Sequence, residues 1–301
     1  MMASKEYTMD ATSLMTQKIL KLIHGKDLAA RLYKNPPRDT KVMDARFFSS
    51  LFSLETWEVL ERKIVTIQDR EPDGRHILFL HGGSYIVEAS TMHRRLIQKL
   101  VKNHHMTVSF VDYPLAPEHT WRETRRMVLA AYAQIVKKFP KDEFFLFGDS
   151  AGGGLALAVL QELAKQNVMN SPKKTVLCSP WLDLSLQNPL IAEYEESDPV
   201  LSVEGLRYAA KMYSGGDDLR HPFLSPMFAT VDNLGDILLY VGSQEIFYPD
   251  CLQFKKSIEA ADGSSVTLKI GEGMMHDWVL FPFNESKSIP AQIDAFFQKS
   301  T

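Results

Sequence analysis

The stretch Phe144–Leu157, FFLFGDSAGGGLAL, constrains the fold more than any other part of the chain. An apolar, aromatic run (Phe144, Phe145, Leu146, Phe147) stops at Gly148. Asp149, Ser150 and Ala151 follow, then three glycines and an aliphatic stretch at helical spacing. The pattern predicts a buried strand, a very tight turn and a helix, with Ser150 at the apex. Gly148 and Gly152 flank the serine at G-x-S-x-G spacing, where a Cβ would clash with the neighbouring strand or helix. A serine on such an elbow is pushed out of the sheet, above the start of the following helix. The N–H of Ala151 then points to where an oxyanion would form. A glycine-rich turn carrying a chance serine is the plainer reading, and the strand before and helix after weigh against it.

The rest of the chain surrounds this element with alternating strands and helices. Strands are predicted at Ile64–Ile67, Ile77–Leu80, Val108–Val111, Val176–Cys178, Ile237–Val241 and Val266–Ile270. Helices are predicted at Thr91–Lys102, Glu123–Phe139, Leu155–Gln166, Val203–Tyr213, Pro249–Ala261 and Ile289–Gln298. Short apolar strands between helices predict an α/β fold with a mostly parallel sheet covered on both faces. Two regions lack strand character. Residues 1–60 read as helical and irregular, with an apolar cluster of Phe47, Phe48, Leu51, Phe52, Leu54 and Trp57 that must cover something else. Residues 182–226 are interrupted by Pro189, Pro199 and Pro222 and sit between strands, where a lid is expected. The division is therefore 61–301 as the main domain, with 1–60 and the 182–226 insertion as candidates for its cover.

A chain of 301 residues with 45% hydrophobic residues supports a substantial core. A formal charge of −3 gives no support for nucleic-acid binding or a strongly charged membrane-binding face. The N-terminal twenty residues have no continuous apolar region of the secretory kind, and no stretch reaches the roughly 20 apolar residues needed to span a bilayer. Two cysteines, Cys178 and Cys251, cannot make a disulfide framework and fit a reducing compartment. The expected location is cytoplasmic, without stable membrane association.

Ser150 needs a base, a group to orient the base, and donors for an oxyanion, all at the carboxyl ends of strands. Of nine histidines, His276 follows the Val266–Ile270 strand by a glycine-bearing loop and is preferred as base. His119 and His221, in proline-bearing loops, stay open. His24, His93, His104 and His105 are expected to be exposed, and His76 lies at the wrong end of its strand. Glu245 follows strand Ile237–Val241 and completes the order Ser, acid, His, with Asp250 as its rival. Asp277 is poorly placed to meet the imidazole of its own neighbour. The loop His81-Gly82-Gly83 lets backbone amides turn toward the crevice, so Gly82, Gly83 and Ala151 are the candidate oxyanion donors, with His81 bracing the loop.

From Ile77 to His276 the chain resembles the hormone-sensitive-lipase-like branch of the α/β-hydrolases, which includes bacterial esterases and acetylesterases. HGGSY resembles that family's HGGG-type loop, DYPLAPE its DYRLAPE loop, and GDSAGGGLALA its serine elbow. SPWLDLS, Asp198-Pro199 and Ser225-Pro226 recur at the expected places. The resemblance implies an α/β-hydrolase fold with a helical cap from residues 1–60 and 182–226. It also implies Ser150 as nucleophile, His276 as base, Glu245 as acid, and Gly82, Gly83 and Ala151 as oxyanion donors. Three departures stand out: Ser84 where many members have a third glycine or alanine, Pro114 in place of an arginine, and Glu245 where many members carry aspartate.

The expected activity is hydrolysis of small short-chain acyl esters through an acyl-enzyme on Ser150. The apolar side chains of Phe47, Phe48 and Trp57 would suit an acyl or alcohol pocket. The same machinery could cleave an amide such as an arylformamide, and a non-catalytic ligand-binding role is the third reading. No metal or organic cofactor is implied, because no Cys/His cluster has ligand spacing and the glycine runs match neither nucleotide fingerprint. A homodimer is left open.

Overall fold

A computed structural model describes residues 7–38, 40–44, 47–48, 52–166, 168 and 170–298. Leu51, one of the apolar residues singled out above, lies outside them. Among the described residues nine strands form one sheet: β1 (Tyr7–Thr8), β2 (Ser53–Val59), β3 (Arg62–Gln68), β4 (Arg75–Leu80), β5 (Thr107–Val111), β6 (Glu143–Asp149), β7 (Lys174–Cys178), β8 (Gly235–Gly242) and β9 (Ser264–Glu272). Their order is β1-β9-β8-β7-β6-β4-β5-β3-β2. Only the pairings of β3 with β2 and with β5 are antiparallel. The expected mostly parallel sheet is present.

The central strands are apolar throughout because both their faces are covered. Ile77, Phe79, Leu146, Phe147, Val176 and Leu239 are fully buried. Phe79 on β4 stacks on Phe147 of β6 at 4.5 Å, each such side chain contributing about 2 kcal/mol by burial. One face carries α3 (Thr91–His104) and α9 (Ile289–Gln298), which share a core with Ile97, Leu100, Ile293 and Phe297. The other carries α4 (Trp121–Lys138), α5 (Ser150–Lys165) and α8 (Tyr248–Glu259).

Four helices lie outside these layers: α1 (Ala11–Leu22), α2 (Gly25–Lys34), α6 (Ile191–Glu195) and α7 (Val203–Ser214). Tyr33 of α2 lies close against Gly205 of α7, which brings the two non-sheet regions together. The expected boundary at residue 60 is corrected by β2. Ser53–Val59 pairs along its whole length with β3 and belongs to the sheet. Its edge position leaves Glu55 and Glu58 exposed, so it lacks the apolar run that marks the inner strands.

Candidate active site

Strand β6 ends at Asp149 and α5 begins at Ser150, with no loop between them. Ser150 adopts φ +51°, a left-handed conformation that costs a residue with a side chain about 1 kcal/mol or more. Glycines make the turn possible. A Cβ on Gly148 would lie 2.2 Å from the Gly152 carbonyl oxygen, and one on Gly152 would lie 2.2 Å from that of Leu80. The start of α5 is thereby pressed against the end of β4.

Ser150, His276 and Glu245 come together, from three separate strand ends. The Ser150 hydroxyl lies 2.9 Å from His276 Nε2, and His276 Nδ1 lies 2.5 Å from Glu245 Oε2. The other carboxylate oxygen of Glu245 accepts from the Gly242 N–H at 2.6 Å and the Ser179 hydroxyl at 2.8 Å. Those donors leave Oε2 for the imidazole, so the Nδ1–H tautomer holds and Nε2 is free to accept from the serine. All three side chains are enclosed, with Ser150 2%, His276 4% and Glu245 0% exposed.

The rival groups go elsewhere. Asp250 accepts from Asn188 at 2.7 Å, and burial raises its pKa to about 6. His119 and His221 carry no link to Ser150, and His221 packs on Trp121. Asp277, by contrast, does reach its neighbour's ring. Its left-handed backbone (φ +54°) turns the carboxylate back to 3.2 Å from His276 Nε2, which corrects the expectation that it could not. Burial alone would push the His276 pKa down. The carboxylates of Asp277 and Glu245 outweigh it and hold His276 above the usual histidine range.

The expected donor set also changes. Gly82 is not free: its N–H donates to Asp149 Oδ2 at 3.0 Å. The cause is the buried Asp149 carboxylate, which faces the loop from the residue before the nucleophile. Among the described residues no acceptor takes the N–H of Gly83, Ser84 or Ala151. Gly83 and Ser84 both have positive φ (+122° and +54°). A Cβ on Gly82 would approach Ser150 Cβ to 2.9 Å, so this loop lies directly beside the nucleophile. His81 braces it as expected. Its Nδ1–H donates to the Gly82 carbonyl at 2.6 Å, its ring stacks on Tyr113, and burial lowers its pKa to about 4.

Several supporting residues escaped the sequence reading. His93, expected to be exposed, is buried and donates from Nε2 to Asp149 Oδ2 at 3.0 Å, while its Nδ1 accepts from the Ser90 N–H. It sits in the first turn of α3, where the capping arrangement turns it inward. Asp198 accepts from the amides of Val200, Leu201 and Ile246, tying residues after α6 to the loop that carries Glu245. Ser179 and Asp198 lie in the quoted motifs SPWLDLS and Asp198-Pro199, a signal to which no role had been attached. The loop Asp112–Glu118, where Pro114 replaces an arginine, finds its cations elsewhere. Arg38 pairs with Glu118 and Arg62 with Asp112.

Phe47, Phe48 and Trp57 are not at the site. The Phe47 ring lies beneath Arg94, Phe48 packs in the core beneath α3 and α9, and Trp57 donates to Thr66 on the sheet. Instead a row of buried rings leads from His276 toward α7: Phe247, Trp181, Tyr85 and Tyr213, the last two stacked at 3.8 Å. Among the described residues no group of three or more His, Cys, Asp or Glu side chains is arranged to hold a metal ion, and no helix is long and apolar enough to cross a membrane.

A family described as having the α/β-hydrolase fold matches residues 77–280. The chain belongs to that family, in its hormone-sensitive-lipase-like branch. It is similar to an esterase of Acinetobacter venetianus, 35% identical over 225 residues that cover 73% of each protein. It is also similar to an acetyl-hydrolase of Streptomyces hygroscopicus, 32% identical over 213 residues, covering 70% of this chain and 71% of that one. The crystal structure of a hormone-sensitive lipase from a metagenome library superposes with a TM-score of 0.80. It is 27% identical and covers 96% of this chain and 98% of that one.

Proposed function

We propose that this carboxylic ester hydrolase acts on short-chain acyl esters through an acyl-enzyme on Ser150. The observation that carries the reading is the unbroken chain Ser150–His276–Glu245, with contacts of 2.9 and 2.5 Å. Ser150 Oγ attacks the ester carbonyl as its proton passes to His276 Nε2, and Glu245 stabilises the imidazolium through Nδ1. The carbonyl oxygen, now an oxyanion, is received by the N–H groups of Gly83, Ser84 and Ala151. Each such donor is worth roughly 3 kcal/mol in the transition state. His276 returns the proton to the departing alcohol. A water molecule then attacks the acyl-enzyme, giving up its proton to His276, and the carboxylic acid leaves as Ser150 regains its hydroxyl.

Helices α1 and α2, with residues 182–226, serve as the cap. The low exposure of Ser150 and the buried contact of Tyr33 on α2 with Ser84 beside it support this. The enclosed aromatic row beside His276 supports a small acyl group, as does the likeness to an acetyl-hydrolase.

Hydrolysis of p-nitrophenyl esters from acetyl to dodecanoyl, run beside Ser150→Ala, tests the reading. Activity that peaks at acetyl or butyryl and vanishes in the variant is the expected result. A maximum at octanoyl or longer would overturn the short-chain assignment, and full activity in Ser150→Ala would overturn the nucleophile.

A further inference from the structure

Helix α1 is built inside out. A surface helix ordinarily turns its apolar stripe to the core and its polar side to water. Here the buried positions of α1 are polar, Ser13 and Gln17. The Ser13 hydroxyl donates to Glu285 Oε2 at 2.8 Å, and Gln17 Nε2 donates to the Gly273 carbonyl at 3.0 Å. The opposite side is apolar and bare: Met15 is 60% exposed, Ile19 48%, Leu22 79% and Ile23 54%. Leu28 and Leu32 on α2 extend the same character, at 53% and 37%. Most of the large hydrophobic side chains exposed among the described residues lie on this helical pair.

The charge of the pair is equally one-sided. Between Ala11 and Lys34 the chain carries Lys18, Lys21, Lys26, Arg31 and Lys34 against Asp27 alone. Five positive charges and one negative give +4, in a chain whose total is −3. The remainder is therefore at −7, and the whole-chain charge conceals the segregation. Lys18, Lys21, Arg31 and Lys34 are all exposed beside the bare apolar residues.

We propose that α1 and α2 form a docking surface for an anionic lipid interface, on which the protein sits peripherally. A helix with exposed leucine, isoleucine and methionine side chains flanked by lysines matches the physics of a segment lying in the headgroup plane. Its apolar side enters the acyl boundary and its cations meet lipid phosphates. Charge complementarity selects this occupant over a second copy of the chain. A symmetric dimer through the same face would set +4 against +4. The proposal departs from the expectation of no stable membrane association, which rested on the whole-chain charge and the lack of a spanning stretch and not on where the charges lie. The inference concerns binding alone and stands whether or not the esterase reading holds.

The test is flotation of the full chain with vesicles of phosphatidylcholine alone and of equal parts phosphatidylcholine and phosphatidylglycerol. Binding to the anionic vesicles is expected, weakened about tenfold or more by the pair Ile19→Asp and Leu22→Asp, and similarly by Lys18→Glu with Lys21→Glu. Salt at about 0.5 M should release the protein from the vesicles. Neither pair touches the buried side of α1, so a thermal melt matching that of the wild-type chain shows that each variant is folded. Three results overturn the proposal: no vesicle binding by the wild-type chain, equal binding by both variant pairs, or a dimer in light scattering that Ile19→Asp with Leu22→Asp dissolves. The last would assign the face to a second copy.

Discussion

The hydroxyl of Tyr33 lies 2.8 Å from that of Ser84, in a buried contact between α2 and the loop beside the nucleophile. Ser84 stands where the resemblance leads one to expect a third glycine or an alanine, and its backbone is left-handed. A glycine would relax there, whereas the serine is held by a partner from the proposed cap. In the proposed mechanism position 84 thus couples the cap to the placement of a backbone donor.

Tyr33→Phe leaves the Ser84 hydroxyl buried without its partner, at a cost of about 1–3 kcal/mol. Because the loop positions amides and not the substrate's body, kcat should fall by about tenfold while KM changes little. Steady-state kinetics with p-nitrophenyl butyrate decides it. An increase confined to KM would place Tyr33 in the substrate pocket instead.

Glu245 shares its two oxygens among three donors, and only a carboxylate accepts from all of them. In Glu245→Gln the amide nitrogen must face either His276 Nδ1 or the Gly242 and Ser179 donors. Whichever it faces, a donor–donor contact forms, and facing the histidine also selects the wrong tautomer. The expected loss in kcat is roughly a thousandfold or more, with thermal stability also reduced. Retention of a tenth of the activity would sink the assignment of Glu245 as orienting acid.

The pH profile carries a separate test, because His276 accepts the Ser150 proton only when neutral. Burial lowers its pKa, Asp277 and Glu245 raise it, and the net direction is upward. Activity should therefore fall as pH drops through a value above the ordinary histidine pKa of about 6.5, giving an alkaline optimum. Asp277→Asn removes one of the raising charges, 3.2 Å from Nε2. The acid limb should then move to lower pH by about one unit or more. An unchanged limb in a folded variant would show that Asp277 exerts no field on the base.

Gly152→Ala tests the packing that shapes the elbow. The added Cβ would stand 2.2 Å from the Leu80 carbonyl oxygen and 2.5 Å from that of His81, both backbone atoms of the β4 end. Neither can step aside without moving the oxyanion loop. Destabilisation beyond about 3 kcal/mol is expected, read as a lowered Tm, with activity lost in whatever remains folded.

Local features were the most legible in the sequence. The β6–α5 elbow is written in consecutive residues, and Glu245 and His276, each placed just past a strand by the sequence pattern, do meet in one chain with Ser150. What escaped depends on contacts made across the chain. Which amide of the His81–Ser84 loop is free is decided by the carboxylate of Asp149, more than sixty residues away. His93 lies among polar residues in the sequence, yet it falls on the buried side of its helix with Leu96, Ile97, Leu100 and Val101 and carries the hydrogen bond to Asp149. Asp277 reaches its neighbour's ring only because its backbone is left-handed. Strand β2 was missed because an edge strand needs no continuous apolar run, and its Glu55 and Glu58 resemble loop residues.

The polar seat of α1 has a consequence for the order in which this molecule is built. Ser13 is fastened to a glutamate 272 residues further along the chain, and Gln17 to a carbonyl 256 residues away. A growing chain thus carries α1 as a free, basic amphipathic segment through nearly the whole of its synthesis. The seat of this helix is complete only when the stretch from Gly273 to Glu285 is in place.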